Sequence, residues 1–150
     1  MIKTIFLGKH SGGNNNCLGI DALKYLINDD FDIVSCVTVE KDLLYDFCKN
    51  IGIDVVTDIN ECDDTFDDVD LVISYGFKNL IKEPLISNPK IGCINFHPAP
   101  LPEWRGMGGV FNFALYESLS EWGVTAHFVD DSFDTGDIIK VNRFDLTDKE

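Results

Sequence analysis

Basic side chains are scarce. Twelve Lys and Arg stand against 26 Asp and Glu in 150 residues, a net charge of −14. Such a field repels phosphate backbones and anionic lipids, which disfavours wholesale binding to nucleic acid or to a membrane surface and leaves room only for a local basic patch. The excess is uneven: residues 1–75 hold 5 basic and 15 acidic side chains, residues 76–150 hold 7 and 11. Asp29, Asp30, Asp32 and the cluster from Asp63 to Asp70 read as solvated loops. No apolar run approaches the roughly 18 residues of a membrane span. The N-terminal run stops at Gly8-Lys9-His10, too short for a signal peptide. No C-x-x-C occurs among the five cysteines, at 17, 36, 48, 62 and 93. Reduced thiols of a cytoplasmic protein fit that scatter better than a disulfide framework or a zinc site. After the first strand there is no G-x-G-x-x-G and no Gly-Lys-Ser/Thr, so neither the dinucleotide fingerprint nor the P-loop is present.

What is present alternates. Residues 2–7, 33–39, 55–56, 71–75, 92–96, 123–129 and 137–141 read as strands. Residues 17–27, 43–51, 80–86 and 110–119 read as helices, with Gly52 a natural stop for the second. Strand–helix alternation at this spacing predicts an α/β, Rossmann-like fold: a mostly parallel twisted sheet of about seven strands with helices on both faces, in one domain over 1–150. Ligands on such sheets bind beyond the carboxyl ends of the strands. The loop Gly12-Gly13-Asn14 after the first strand is either an anion cradle or a plain βα turn.

The most informative stretch runs Asn95-Phe96-His97-Pro98-Ala99-Pro100-Leu101-Pro102-Glu103-Trp104-Arg105-Gly106. Asn95 and His97 alternate at a strand end and face one side. They either converge on an oxygen that gains negative charge or satisfy local backbone groups. Three prolines in five residues stiffen the loop that follows. A second stretch, Gly123-Val124-Thr125-Ala126-His127, leads to Asp134-Thr135-Gly136 in a turn before an apolar strand.

Together these segments resemble the folate-dependent formyltransferase family, whose members include glycinamide ribonucleotide, methionyl-tRNA and sugar N-formyltransferases. The family pattern runs Asn-x-His-Pro, Leu-Pro, Arg-Gly, Gly-x-Thr-x-His and Asp-x-Gly. Residues 95–98, 101–102, 105–106, 123–127 and 134–136 match it in order and spacing. The resemblance implies attack of a primary amine on the formyl carbon of N10-formyltetrahydrofolate, with no metal. Asn95 and protonated His97 would stabilise the oxygen that gains charge, a contribution of about 3–4 kcal/mol per preorganised donor. Asp134 would hold His97 charged and help move the amine proton. By the same resemblance, the pterin ring would sit against Phe77, Lys78, Asn79, Leu80 and Ile81 on one side. Val129, Asp130, Asp131 and Phe133 would form the other, and Leu101-Pro102 would be cis.

The loop holding His10, Gly12, Gly13 and Asn14 is similar to a family phosphate-binding loop. Trp104 and Arg105 either bind the acceptor or brace the loop. His127 is expected to pack or to support the site from behind, and Phe111, Phe113, Leu115 and Leu119 to pack a helix on the sheet. Thr147-Asp148-Lys149-Glu150 reads as a helix start, so the chain is expected to be the N-terminal catalytic part of a longer protein. The wording is most like the sugar N-formyltransferase branch, which makes an amino sugar on a nucleotide the expected small-molecule acceptor. Glycinamide ribonucleotide, methionyl-tRNA and water stand behind it, and a non-catalytic folate or nucleotide sensor is the alternative outside enzymes. A lone Asp-Thr-Gly is also the aspartic-protease triplet, but the helical periodicity opposes that all-β fold. No feature fixes an oligomeric state.

Overall fold

The computed structural model describes residues 1–10, 17–61, 68–106 and 110–146. Gly12, Gly13, Asn14 and the expected helix start at 147–150 lie outside the described residues. The strands are β1 (Ile2–Gly8), β2 (Phe31–Val37), β3 (Val55–Val56), β4 (Leu71–Tyr75), β5 (Gly92–His97), β6 (Glu121–Phe128) and β7 (Ile138–Asp145). The helices are α1 (Leu18–Asn28), α2 (Leu43–Ile51) and α3 (Val110–Tyr116). One seven-stranded sheet has the order β3-β2-β1-β4-β5-β6-β7. β1 to β5 are mutually parallel, while β6 runs antiparallel to both β5 and β7. The expected mostly parallel α/β sheet is therefore what the chain forms.

β1 is apolar at consecutive positions because both of its faces are covered. Phe6 packs with Leu23 of α1 and Leu44 and Cys48 of α2 on one face. Ile5 and Leu7 pack with Val72, Phe77, Ile81 and Leu85 on the other. Each such fully buried side chain contributes about 1.5–3 kcal/mol. The second face is covered by a 3-10 turn at Ile59–Glu61 and by turns after β4.

Helix α2 is capped at both ends, the C-terminal one at Gly52 as its sequence suggests. Gly52 takes φ 78 at the C-cap. At the N-cap, Asp42 Oδ1 accepts from the amides of Leu44 (3.0 Å) and Tyr45 (3.1 Å). Its Oδ2 accepts from the amide of His10 at 2.6 Å, which ties β1's exit to the helix. Asp42→Ala is expected to cost near the upper end of the roughly 0.5–2 kcal/mol of a lost cap. A urea midpoint checks it.

Some boundaries differ from the sequence reading. β2 begins and ends two residues earlier than expected, because Asp30 at φ 71 closes the preceding turn and Phe31 pairs with Ile2. Residues 80–86 form turns rather than a helix. Pro84 has no amide hydrogen and disfavours helical backbone before it. Leu85 instead bonds to the Lys82 carbonyl (3.1 Å) and Asn88 to that of Pro84 (3.0 Å). Helix α3 stops at Tyr116 rather than at residue 119, and Ser118 has φ 49. Phe111, Phe113 and Leu115 are at least half exposed, contrary to their expected packing. Only Ala114 of α3 is buried, with Leu119 beside it against Ala99 and Trp122.

Candidate active site

Three strands in register present a polar row on one face: Ser74 of β4 pairs with Asn95 of β5, and Asn95 with His127 of β6. β6 leaves the sheet at the amino end of β5, where the amide of Val129 bonds to the Cys93 carbonyl at 2.8 Å. The loop from Val129 to Asp137 then folds back towards this row. Asp134 therefore arrives from the opposite end of the sheet to the one where ligands on parallel strands are expected. Its φ of 55 is a left-handed conformation that Asp tolerates better than most residues.

Asp134 is 9% exposed, and His97 and His127 are each 2% exposed. Asp134 Oδ1 lies 3.4 Å from His97 Nδ1 and 3.5 Å from His127 Nε2. Its Oδ2 accepts from the Gly106 amide at 2.9 Å. His97 Nε2 is 2.6 Å from the Trp104 carbonyl. A carbonyl only accepts, so Nε2 carries a proton there. Asn95 Nδ2 lies 3.1 Å from His127 Nε2. The three residues expected at the reacting group thus lie in one buried polar cluster, and His127, expected to pack or to support the site, sits between Asn95 and Asp134 within it.

Burial acts against charge on His127. The Asp134 carboxylate and the Phe128 carbonyl outweigh it and hold the imidazole pKa above its ordinary value. Burial likewise opposes the Asp134 anion, but His127, the Gly106 amide and His97 hold its pKa below the usual carboxylate range. A raised folded-state pKa contributes stability fully below about pH 6.5, and loses it as pH rises through the folded value. The Asp134 contribution is present above about pH 3.9 and is lost as pH falls through its folded value. The stability difference between wild type and His127→Gln, measured by urea unfolding, is therefore expected to shrink from mildly acidic to alkaline pH.

The cluster opens into a small cleft of about 100 Å³ between the turn after β4 and the β6–β7 loop. Phe77, Leu80, Ile81, Val129 and Phe133 give apolar walls, and Asn79, Asn95 and Asp134 give polar points. Ser74, which also lines it, has a buried hydroxyl with no hydrogen-bond partner. Apolar walls with a few convergent polar groups suit a ligand that has both apolar faces and polar edges.

Of the expected ring-binding residues, Lys78, Asp130 and Asp131 lie outside this lining. Lys78 is exposed, and Asp130 Oδ1 is turned into its own loop, accepting from Ser132 N (3.1 Å) and Thr135 Oγ1 (2.6 Å). Asp131 borders a neighbouring hollow. Trp104 braces: its ring stands 5.2 Å from that of Trp122 and 6.0 Å from that of Phe113. Arg105 is exposed and forms no ion pair among the described residues. His10 lies at the exit of β1, outside the lining, with its own Nδ1 buried and unpartnered. Ser74 opens the segment that runs through Phe77 to Ile81, which resembles the family's folate-pocket lining, but only the register of β4 against β5 pairs it with Asn95. Leu101-Pro102 is cis as expected, and Glu83-Pro84 is cis as well. Among the described residues, no group of three or more His, Cys, Asp or Glu could hold a metal ion, and no helix is long and apolar enough to cross a membrane.

The sequence model of the formyl transferase family matches residues 59–150, more than half of the chain. This chain belongs to the formyl transferase family. Within it, the chain is similar to a methionyl-tRNA formyltransferase of Bacillus mycoides, with 27% identity over 167 residues, covering 100% of this chain and 51% of that protein. It spans about half the length of the curated relatives it matches. Its fold is shared with phosphoribosylglycinamide formyltransferase of Bacillus halodurans, at a TM-score of 0.77 and 18% identity, covering 98% of this chain and 82% of that one. It is also shared with a sugar 3N-formyl transferase solved in the presence of dTDP and 5-N-formyl-THF, at a TM-score of 0.69 and 23% identity, covering 97% and 53%.

Proposed function

We propose that this formyl transferase family chain moves a formyl group from N10-formyltetrahydrofolate to a primary amine, with an amino sugar carried on a nucleotide as the acceptor. The observation that carries the reading is the Asp134 carboxylate, set between His97 and His127 and lining one cleft with Asn95. The bound folate supplies an activated formyl carbon.

The chain's own residues do the rest. Phe77, Leu80, Ile81, Val129 and Phe133 hold the ring by apolar contact, and Ser74 meets one of its polar edges. Asn95 donates from Nδ2 to the formyl oxygen as it gains charge. His97 is the second donor and keeps its Nε2 proton on the Trp104 carbonyl until the substrate takes that place. Asp134 orients His97 through Nδ1 and receives the proton that the attacking amine sheds, directly or through water, and that proton passes to N10 as the bond from the formyl carbon to N10 breaks and tetrahydrofolate leaves. Such acid–base help is worth about 10²–10⁴ in rate. A net charge of −14 disfavours a tRNA acceptor.

Incubation with N10-formyltetrahydrofolate and an amino-sugar nucleotide, glycinamide ribonucleotide, methionyl-tRNA or no amine tests the reading. The expected product is the sugar formamide, lost in Asn95→Ala and His97→Ala. Product with another amine corrects the acceptor. Folate binding without turnover of any amine or of water overturns the enzyme reading in favour of a sensor.

A further inference from the structure

We propose that His127 is a positioning residue for Asn95: its neutral Nε2 accepts a hydrogen bond from the carboxamide and keeps Asn95 facing the cleft as a donor, and a proton on Nε2 undoes this. The inference rests on Asn95 acting as the donor, and deepens that reading by naming what orients it.

The tautomer follows from the contacts. His127 Nδ1 lies 2.8 Å from the Phe128 carbonyl, which can only accept, so Nδ1 carries a hydrogen. The titrating nitrogen is therefore Nε2. Two groups compete for it: Asn95 Nδ2 at 3.1 Å and Asp134 Oδ1 at 3.5 Å. With Nε2 unprotonated, its lone pair takes one N–H of Asn95, and the second N–H remains for an oxygen in the cleft. With Nε2 protonated, it donates to Asp134 and has nothing to offer an amide N–H. The Asn95 N–H loses its acceptor, and nothing on β6 then holds the carboxamide with its donor towards the cleft.

The same proton changes the second donor. Asp134 Oδ1 is shared by His127 Nε2 and His97 Nδ1 at nearly equal distance. Neutral His127 leaves that oxygen to His97, whereas charged His127 draws on it. The charged and titratable groups around His127 are Asp134 and Asp130 from the β6–β7 loop and, through Asp134, His97 of β5. β7 places Ile138 opposite His127. From the turn after β4, the cleft receives Phe77, Asn79, Leu80 and Ile81, none of them charged. With acidic neighbours on one side only, the His127 pKa is raised, so proton loss from Nε2 falls where pH controls it.

The test is a ¹H–¹⁵N titration of the full chain without ligand. The Asn95 side-chain amide is assigned by its disappearance in Asn95→Ala. Its two amide protons are expected to shift with the same midpoint as the His127 ring protons. In His127→Gln, whose carbonyl is an acceptor that does not titrate, the Asn95 amide is expected to stay at its high-pH position throughout. An Asn95 amide that ignores the His127 midpoint, or one that still shifts in His127→Gln, overturns the proposal. Both readouts are independent of formyl transfer, so they stand or fall apart from the enzyme reading. In the transfer assay, His127→Leu is expected to lower kcat by about 10²-fold, the cost of a misplaced catalytic group. His127→Gln is expected to restore most of it. Equal losses in the two variants, with both folded, overturn the positioning role.

Discussion

Asp134→Asn is expected to lower kcat/KM for formyl transfer by about 10²–10³-fold, in line with losing one preorganised electrostatic element. The substitution is chosen because it changes charge and little else. Asn tolerates the φ of 55 at this position, where Ala would add backbone strain. The Asn carbonyl can still accept from the Gly106 amide, the 2.9 Å contact that ties the β6–β7 loop to residues 98–106. What disappears is the anion between His97 Nδ1 and His127 Nε2. The uncharged side chain no longer offers the amine proton a base and no longer supports a proton on His127. The His127 pKa, raised by that carboxylate, is expected to fall in the variant, and its ring protons report this in an NMR titration. Unchanged turnover in Asp134→Asn would remove the carboxylate from the mechanism.

The second large effect is expected at Gly136, two residues further on. A Cβ there would lie 1.9 Å from the Phe128 carbonyl oxygen and 2.7 Å from its carbon. Both are backbone atoms at the end of β6, where the Phe128 amide is already bonded to the Asp137 carbonyl at 2.9 Å. No side-chain rotation relieves such a contact, so the loop must move away from the strand. Gly136→Ala is expected to cost about 3 kcal/mol, the upper part of the range for overpacking. It is also expected to abolish transfer, because the loop that moves is the one carrying Asp134. Gly52→Ala is the control. Its Cβ meets nothing within 4 Å, and only the φ of 78 is unfavourable, so about 1–2 kcal/mol is expected with transfer retained. Denaturant midpoints and a formyl-transfer assay on the two variants separate loop displacement from general destabilisation.

Much of this was legible in the chain itself. Consecutive apolar residues in β1 and β4 identify strands covered on both faces, because no half-exposed strand reads that way. Gly52 bounds α2 through local chemistry, as a residue that accepts positive φ. Residues 80–86 misled because Leu80, Ile81, Leu85 and Ile86 are apolar for the core they cover, a requirement that turns meet as well as a helix does. Phe111, Phe113 and Leu115 misled in the opposite direction. Apolarity says that a residue gains by burial, but not that the described fold buries it.

The set Asn95, His97 and Asp134 was an expectation carried by the family resemblance. The composition and the motifs by themselves determined the α/β class, the excess of acidic side chains and the absence of a dinucleotide or P-loop signature. Those properties follow from residue type and short-range spacing, which the chain carries on its face. Which side chains meet was decided only in three dimensions. β6 runs antiparallel, so its loop has to double back to deliver Asp134. The β4–β5–β6 register puts Ser74 and His127 on either side of Asn95. Contacts between residues 32 positions apart depend on strand direction and register, set by packing over the whole sheet rather than by any segment alone.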